Sequence, residues 1–125
     1  HSRFIQCDVG NVDAVTAAIA GAWAVIHLAA VPDDAPFASA LVPANIVGVA
    51  AVIDAVKRTP SVKRLLIASS GKIFSGYTGV TPIRVGTPPA PTCMYSATKL
   101  FAEAAALALA NSVETDRELH IIVPR

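Results

Sequence analysis

Two cysteines in 125 residues, Cys7 and Cys93, make neither a C-x-x-C pair nor a disulfide framework. Small buried side chains are the expected state of both. Charge is also scarce: 15% of the residues are charged, the net is +1, and no basic block occurs. That pattern speaks against a charge-driven nucleic-acid partner. No histidine has a second histidine or cysteine at metal-ligand spacing, so no metal is expected.

What the chain has in quantity is apolar residues, 54% of the total. Such a composition suits strands buried on both faces of a layered α/β fold, and the length suits one domain. Residues 14–32 and 37–53 are nearly uncharged and could pass for membrane spans. The first holds Gly21 and His27 and changes period partway; the second carries Pro43 and Asn45 and falls short of the roughly 20 apolar residues a span needs. Both are expected to be buried in a soluble domain, with no membrane partner. The chain shows no basic-then-apolar leader, so secretion is not indicated and a cytoplasmic location is expected.

The punctuation of the chain predicts alternating elements. "RFIQCDV" (3–9) reads as a strand, followed by a helix capped by Asn11 or Asp13 and ending near Gly21. "WAVIHLAAV" (23–31) reads as a strand buried on both faces. A helix is predicted from about Ala38 to Thr59, with Ile46, Val49, Ala50, Ile53 and Val56 on its apolar side. "VKRLLIASS" is the next strand, then come a long irregular stretch from Gly71 to Thr92, a helix from about Met94 to Asn111, and the strand "LHIIVP". This order predicts a parallel sheet with helices on both faces.

In such sheets ligands bind beyond the carboxyl ends of the strands, which selects Asp8–Val9, Leu28–Ala29–Ala30 and Ser69–Ser70. Small residues at the second end admit a flat ring or ribose close to the backbone. Ser70 would offer a hydroxyl to the same crevice. The following helix brings Tyr95 alongside, with Lys99 one turn further on the same face. A nearby ammonium favours the phenolate form of a tyrosine. Tyr95 could then take a proton from a substrate hydroxyl as hydride leaves the adjoining carbon, while Ser70 holds the oxygen.

At these residues the chain resembles the NAD-dependent epimerase/dehydratase family, the extended short-chain dehydrogenases/reductases. The matching stretches are "CDV", "VIHLAAV", "NIVG" (Asn45–Gly48), "LLIASSGKIF" and "YSATKLFAE". Within the family, "IHLAAVPDDAPF" and the loop after "ASSG" are most similar to uronate dehydrogenases and related sugar oxidoreductases. The resemblance implies a Rossmann-like doubly wound parallel sheet, incomplete here. It implies a catalytic set of Ser70, Tyr95 and Lys99, with Lys99 also on the nicotinamide ribose. Asp8 and Val9 would hold the adenine, Leu28, Ala29 and Ala30 the middle of the cofactor, and Asn45 would stand behind it. The implied cofactor is NAD, with NADP equally open on these residues, and the implied substrate is a sugar, uronate or nucleotide sugar. Dehydrogenase, epimerase and dehydratase chemistry all remain open.

The family's G-x-x-G-x-x-G phosphate loop does not occur in the chain. The expectation is therefore a partial NAD(P)-binding domain over residues 1–125, with the substrate domain absent. The alternative is a fragment or cofactor-sensing protein of the same fold without turnover. The resemblance also implies that a homodimer through the Tyr95–Lys99 helix is open to the parent protein, where Ala104, Ala105 and Ala108 would permit close helix approach. The remaining residues have plainer expectations: His27 as a satisfied core histidine, Asp33 and Asp34 facing either substrate or solvent, and Trp23 as packing; a surface pair of Lys99 with Glu103 is the plain alternative to a catalytic Lys99, and an anionic substrate at Lys72 is the minor alternative to a solvated lysine.

Overall fold

Asn11 sets the start of the first helix. Its Oδ1 accepts from the backbone N–H groups of Asp13 (3.1 Å) and Ala14 (3.0 Å), capping α1 (Val12–Ala18). The computed structural model describes residues 3–32, 35–77, 79, 82–112 and 119–125. After α1 come β1 (Ala24–His27), a helical stretch Phe37–Val47 continuing into α2 (Gly48–Arg58), β2 (Arg64–Ile67), a short 3₁₀ turn (Gly71–Phe74), α3 (Met94–Asn111) and β3 (His120–Ile122).

The three strands form a parallel sheet in the order β1-β2-β3, with Val25 beside Leu65 and Leu65 beside Ile121. That row, together with Ile67, faces the helices. It packs with Val15 of α1, Val49, Val52, Ala55 and Val56 of α2, and Ala102, Ala106 and Leu109 of α3. The alternate row, Ile26–Leu66–Ile122, faces the other way, and Ile26 is 66% exposed. Parallel pairing is as expected, but among the described residues the helices cover one face of the sheet. Nor is β1 buried on both sides.

The first expected strand does not form. Residues 3–9 are irregular, and Phe4 is 90% exposed. A strand is stable only with a hydrogen-bonding neighbour, and among the described residues none pairs with this segment.

The second predicted helix forms with its expected side largely inward, Val49 and Val56 buried and Ile46 and Ile53 half-buried, but its early turns are wider than expected. Over Phe37–Val47 it is wound as a π-helix: the N–H of Leu41 reaches Pro36 O (3.2 Å), and that of Gly48 reaches Pro43 O. Pro43 has no N–H, and in an α-helix its ring would crowd the carbonyl four residues back. α2 buries Val49, Ala51, Val52, Ala55 and Val56 with Ile53 half-buried, and Ala50 is exposed. By length and composition the stretch 37–58 could cross a membrane; here it packs against α1, α3 and β1.

The cysteines also depart from expectation. Cys7 is exposed, and the half-buried Cys93 caps α3, its Sγ accepting from Ser96 N–H (3.5 Å) while Cys93 N–H donates to Ser96 Oγ (3.3 Å). Trp23 is exposed, with the Arg64 guanidinium 5.2 Å from its ring centroid.

Candidate functional site

Lys99 lies on the buried face of α3, in line with Ala102 and Ala106. Its aliphatic stem is covered, and Nζ donates to the carbonyl of Ala68, the first residue beyond β2, at 3.0 Å. Nζ also lies 5.8 Å from the ring centroid of Tyr95, one turn earlier. Burial lowers the Lys99 pKa from its ordinary value. One hydrogen bond uses one of the three ammonium donors. The Tyr95 hydroxyl makes no hydrogen bond among the described residues.

Thr98 ties this helix to the rest of the site, a role the sequence reading missed. Its Oγ1 donates to Tyr95 O (2.7 Å) and accepts from Asn45 Nδ2 (3.1 Å). Asn45 is buried, and its carboxamide also clamps the backbone of Val31: Oδ1 accepts from Val31 N–H (2.8 Å), and Nδ2 donates to Val31 O (3.0 Å). The π-helical stretch thus holds the segment after β1, while Leu28, Ala29 and Ala30 before it remain exposed. At the neighbouring strand end, Ala68 N–H donates to His27 O (3.1 Å). A polar residue inside an apolar helix signals that Asn45 needs buried partners, but no local pattern identifies a partner 53 residues away.

The remaining predicted residues are placed less directly. Ser70 caps the 3₁₀ turn, its Oγ accepting from Lys72 N–H (3.2 Å), and α3 packs against that turn. Ser70 and Tyr95 share no hydrogen bond among the described residues. Asp8 spends its carboxylate on its own turn, accepting from Gly10 N–H (2.9 Å). Val9 rests against Gly48, where an added Cβ would stand 3.0 Å from Val9 Cγ1. Asp33, Asp34 and His1 lie outside the described residues.

The plain alternative for Lys99 does not occur, and one expectation is overturned. Glu103 does not pair with Lys99. Arg125 grips it through Nε (3.0 and 3.2 Å) and Nη2 (2.8 Å), and Ser69 Oγ donates to it at 2.5 Å. Burial raises the Glu103 carboxyl, but these hydrogen bonds and the Arg125 charge outweigh it and hold the pKa below the usual value. His27 is buried as expected, yet its Nε2 has no hydrogen-bond partner among the described residues. Burial, with the Lys99 ammonium adding to it, lowers its pKa and favours the neutral ring.

Beyond Ser70 lies an open surface groove of about 670 Å³, lined by Gly71, Phe74, Ile83–Gly86, Val123 and Arg125, most of them exposed. The arrangement gathers a buried cation, a tyrosine with an uncommitted hydroxyl, and an open strand end around the carboxyl edge of a parallel sheet.

A model of the NAD dependent epimerase/dehydratase family matches residues 1–120. The chain belongs to that family. Among curated relatives, uronate dehydrogenase of Pseudomonas syringae pv. tomato is 32% identical over 103 residues, which is 82% of this chain and 37% of that protein. The chain therefore spans little more than a third of the relative it matches. A solved mutated uronate dehydrogenase is 29% identical, with a TM-score of 0.77 over 86% of this chain and 38% of that one. MoeE5 in complex with UDP-glucuronic acid and NAD is 27% identical, with a TM-score of 0.82 over 97% of this chain and 40% of its own. The fold of this family member is accordingly a partial Rossmann-like α/β sheet.

Proposed function

We propose that the protein acts as an NAD-dependent oxidoreductase or epimerase on a sugar, uronate or nucleotide-sugar hydroxyl. The observation that carries this reading is the placement of Lys99: buried, bonded to the carbonyl at the end of β2, and 5.8 Å from the Tyr95 ring. Membership of the family supports it, as do the uronate dehydrogenase relative and the NAD-bound MoeE5 neighbour.

The residues present fit the nicotinamide side of the cofactor, since Lys99 keeps N–H donors for a ribose and the backbone at Leu28–Ala30 is open. When bound, NAD supplies the hydride acceptor. Ser70 orients the substrate hydroxyl, Tyr95 takes its proton, and the Lys99 ammonium stabilises the charge on the Tyr95 oxygen. Asn45 and Thr98 keep the strand end and the helix in register. In this reading residues 1–125 are the partial cofactor-binding domain of a cytoplasmic enzyme, with the substrate-binding part outside them. The exposed Phe101, Ala104, Leu107 and Ala108 of α3 form a face on which two copies could pair.

The test is fluorescence titration of the full-length protein with NADH, wild type beside Lys99→Ala. Weakening by at least about tenfold in the variant is expected, the worth of a charge-assisted hydrogen bond. Equal or absent binding in both would make the matched residues inherited scaffold.

A further inference from the structure

Two side chains one turn apart on α3 hold consecutive residues at the end of β2. Lys99 Nζ donates to Ala68 O (3.0 Å), and the Glu103 carboxylate accepts from Ser69 Oγ (2.5 Å). Tyr95 stands one turn before Lys99, so the helix presents tyrosine, lysine and glutamate in succession along one side. Ser70 is the next residue of the segment they hold. The proposed function uses Ser70, Tyr95 and Lys99 and leaves Glu103 without a task.

Glu103 reaches Ser70 from both directions along the chain. Before it, Ser69 is fixed twice, by its hydroxyl on Glu103 and by its N–H on Pro124 O (2.9 Å). After it, Ser70 caps the turn Gly71–Phe74, accepting Lys72 N–H on Oγ (3.2 Å) and Ile73 N–H on its carbonyl (3.2 Å). Phe74 ends that turn with the Arg125 guanidinium 5.7 Å from its ring centroid, and Arg125 makes three hydrogen bonds to Glu103. The Glu103 side chain is 14% exposed, whereas that of Arg125 is 45% exposed. An ion pair open to water on one side adds little stability by itself. Its geometry is specific, because a guanidinium fork fixes the plane of a carboxylate and so the direction from which the carboxylate meets Ser69.

Resting on the reading of Ser70, Tyr95 and Lys99 as the reacting set, we propose that Glu103 is a positioning residue for that reaction: by holding Ser69 directly and Phe74 through Arg125, it sets where the Ser70 hydroxyl stands relative to Tyr95 and Lys99. Glu103 itself neither touches the substrate nor moves a proton. Such a brace has a physical purpose, since Ser70 sits on a turn and Tyr95 on a helix. Misplacing a reacting group by about 1 Å costs about 100-fold in rate. A single hydrogen bond at Ala68 would leave the residues beyond it free to turn about that point. A second grip at Ser69 removes this freedom.

The experiment uses the full-length protein as wild type, Ser69→Ala, Ser69→Thr and Glu103→Gln. Amide hydrogen exchange is followed at Lys72 and Ile73 and, for comparison, at Ala106 and Leu109 inside α3. Initial rates of NADH formation are measured with NAD and either glucuronate or UDP-glucose. Ser69→Ala removes one link and keeps the Arg125–Glu103 pair. Exchange at Lys72 and Ile73 should quicken about 10-fold or more in Ser69→Ala and Glu103→Gln, as for loss of a hydrogen bond to a charged group, with α3 unchanged. In both, kcat should fall about 10- to 100-fold while KM for NAD stays within about twofold of wild type. Ser69→Thr, which keeps the hydroxyl, should recover most of both effects. Wild-type exchange in the turn of Ser69→Ala and Glu103→Gln overturns the proposal, and so does a quickening shared equally by α3, the mark of a residue that serves stability alone. A turn loosened locally at unchanged kcat overturns it as well, and leaves the cofactor reading standing. A wild type that oxidises neither sugar overturns the reading on which the proposal rests, whatever the exchange shows.

Discussion

Asn45 satisfies two backbone groups that have moved beyond the last rung of β1. Replacing it with leucine leaves the N–H and C=O of Val31 and the hydroxyl of Thr98 to find other partners. Asn45→Leu should therefore cost about 2–4 kcal/mol, read as a fall in the urea midpoint at unchanged slope; a loss under about 1 kcal/mol would show that the clamp is dispensable. His27 gives a pH signature. Its folded pKa is lowered below 6.5 by burial and by Lys99, so below pH 6.5 the unfolded chain binds a proton that the folded one refuses. The stability contributed by the neutral ring is complete above pH 6.5 and is lost as pH falls through the folded value. His27→Leu should flatten this limb while leaving the one below about pH 4.5, where Glu103 takes up its proton. Thermal melts across pH 4–7 test it, and an unchanged limb in the variant would rule His27 out as its source.

At the scale of elements, the long stretch after β2 is held by close backbone approaches. A Cβ on Gly76 would stand 2.7 Å from the carbonyl oxygen of Ala90, and backbone cannot yield as a flexible side chain does. Gly76→Ala should destabilise the protein by about 1–3 kcal/mol and, on the proposed function, raise KM for the sugar more than KM for NAD, because Gly76 and Ala90 flank the segment that carries Ile83–Gly86 of the groove rather than the Lys99 side. Steady-state kinetics beside denaturation would show it; equal effects on both KM values would mean that the two sides move together. The helices teach a different lesson. α3 was legible to its end residues because alanine-rich periodicity runs uninterrupted from Met94 to Asn111. The helix before it was legible in extent and in most of its apolar side, Ala50 apart, but not in its π-helical winding around Pro43, which no hydrophobic period reports.

Across the described residues taken together, the side of the sheet carrying Ile26 and Ile122 is uncovered, and Leu28 is 66% exposed beside it. An apolar patch of this kind binds hydrophobic dyes. The 125-residue chain should enhance the fluorescence of 1-anilinonaphthalene-8-sulfonate, and the double variant Ile26→Thr, Ile122→Thr should reduce it with a stability change within about 0.5 kcal/mol per site, as for other outward-facing positions. Undiminished dye binding in the variant would place the exposed apolar surface elsewhere.

The sequence by itself determined the alternation of elements, the parallel sheet and the family, because periodicity, caps and the Tyr95–Lys99 spacing are local and repeat along the chain. It also pointed to the strand end where Lys99 is found. Tertiary structure alone decided that Asn45 meets Thr98, that Glu103 takes Arg125 and Ser69 instead of Lys99, and that residues 3–9 have no strand partner among the described residues. Each of these outcomes depends on which groups are brought together in space, and a buried polar group takes its partner from whatever the packing places within about 3 Å.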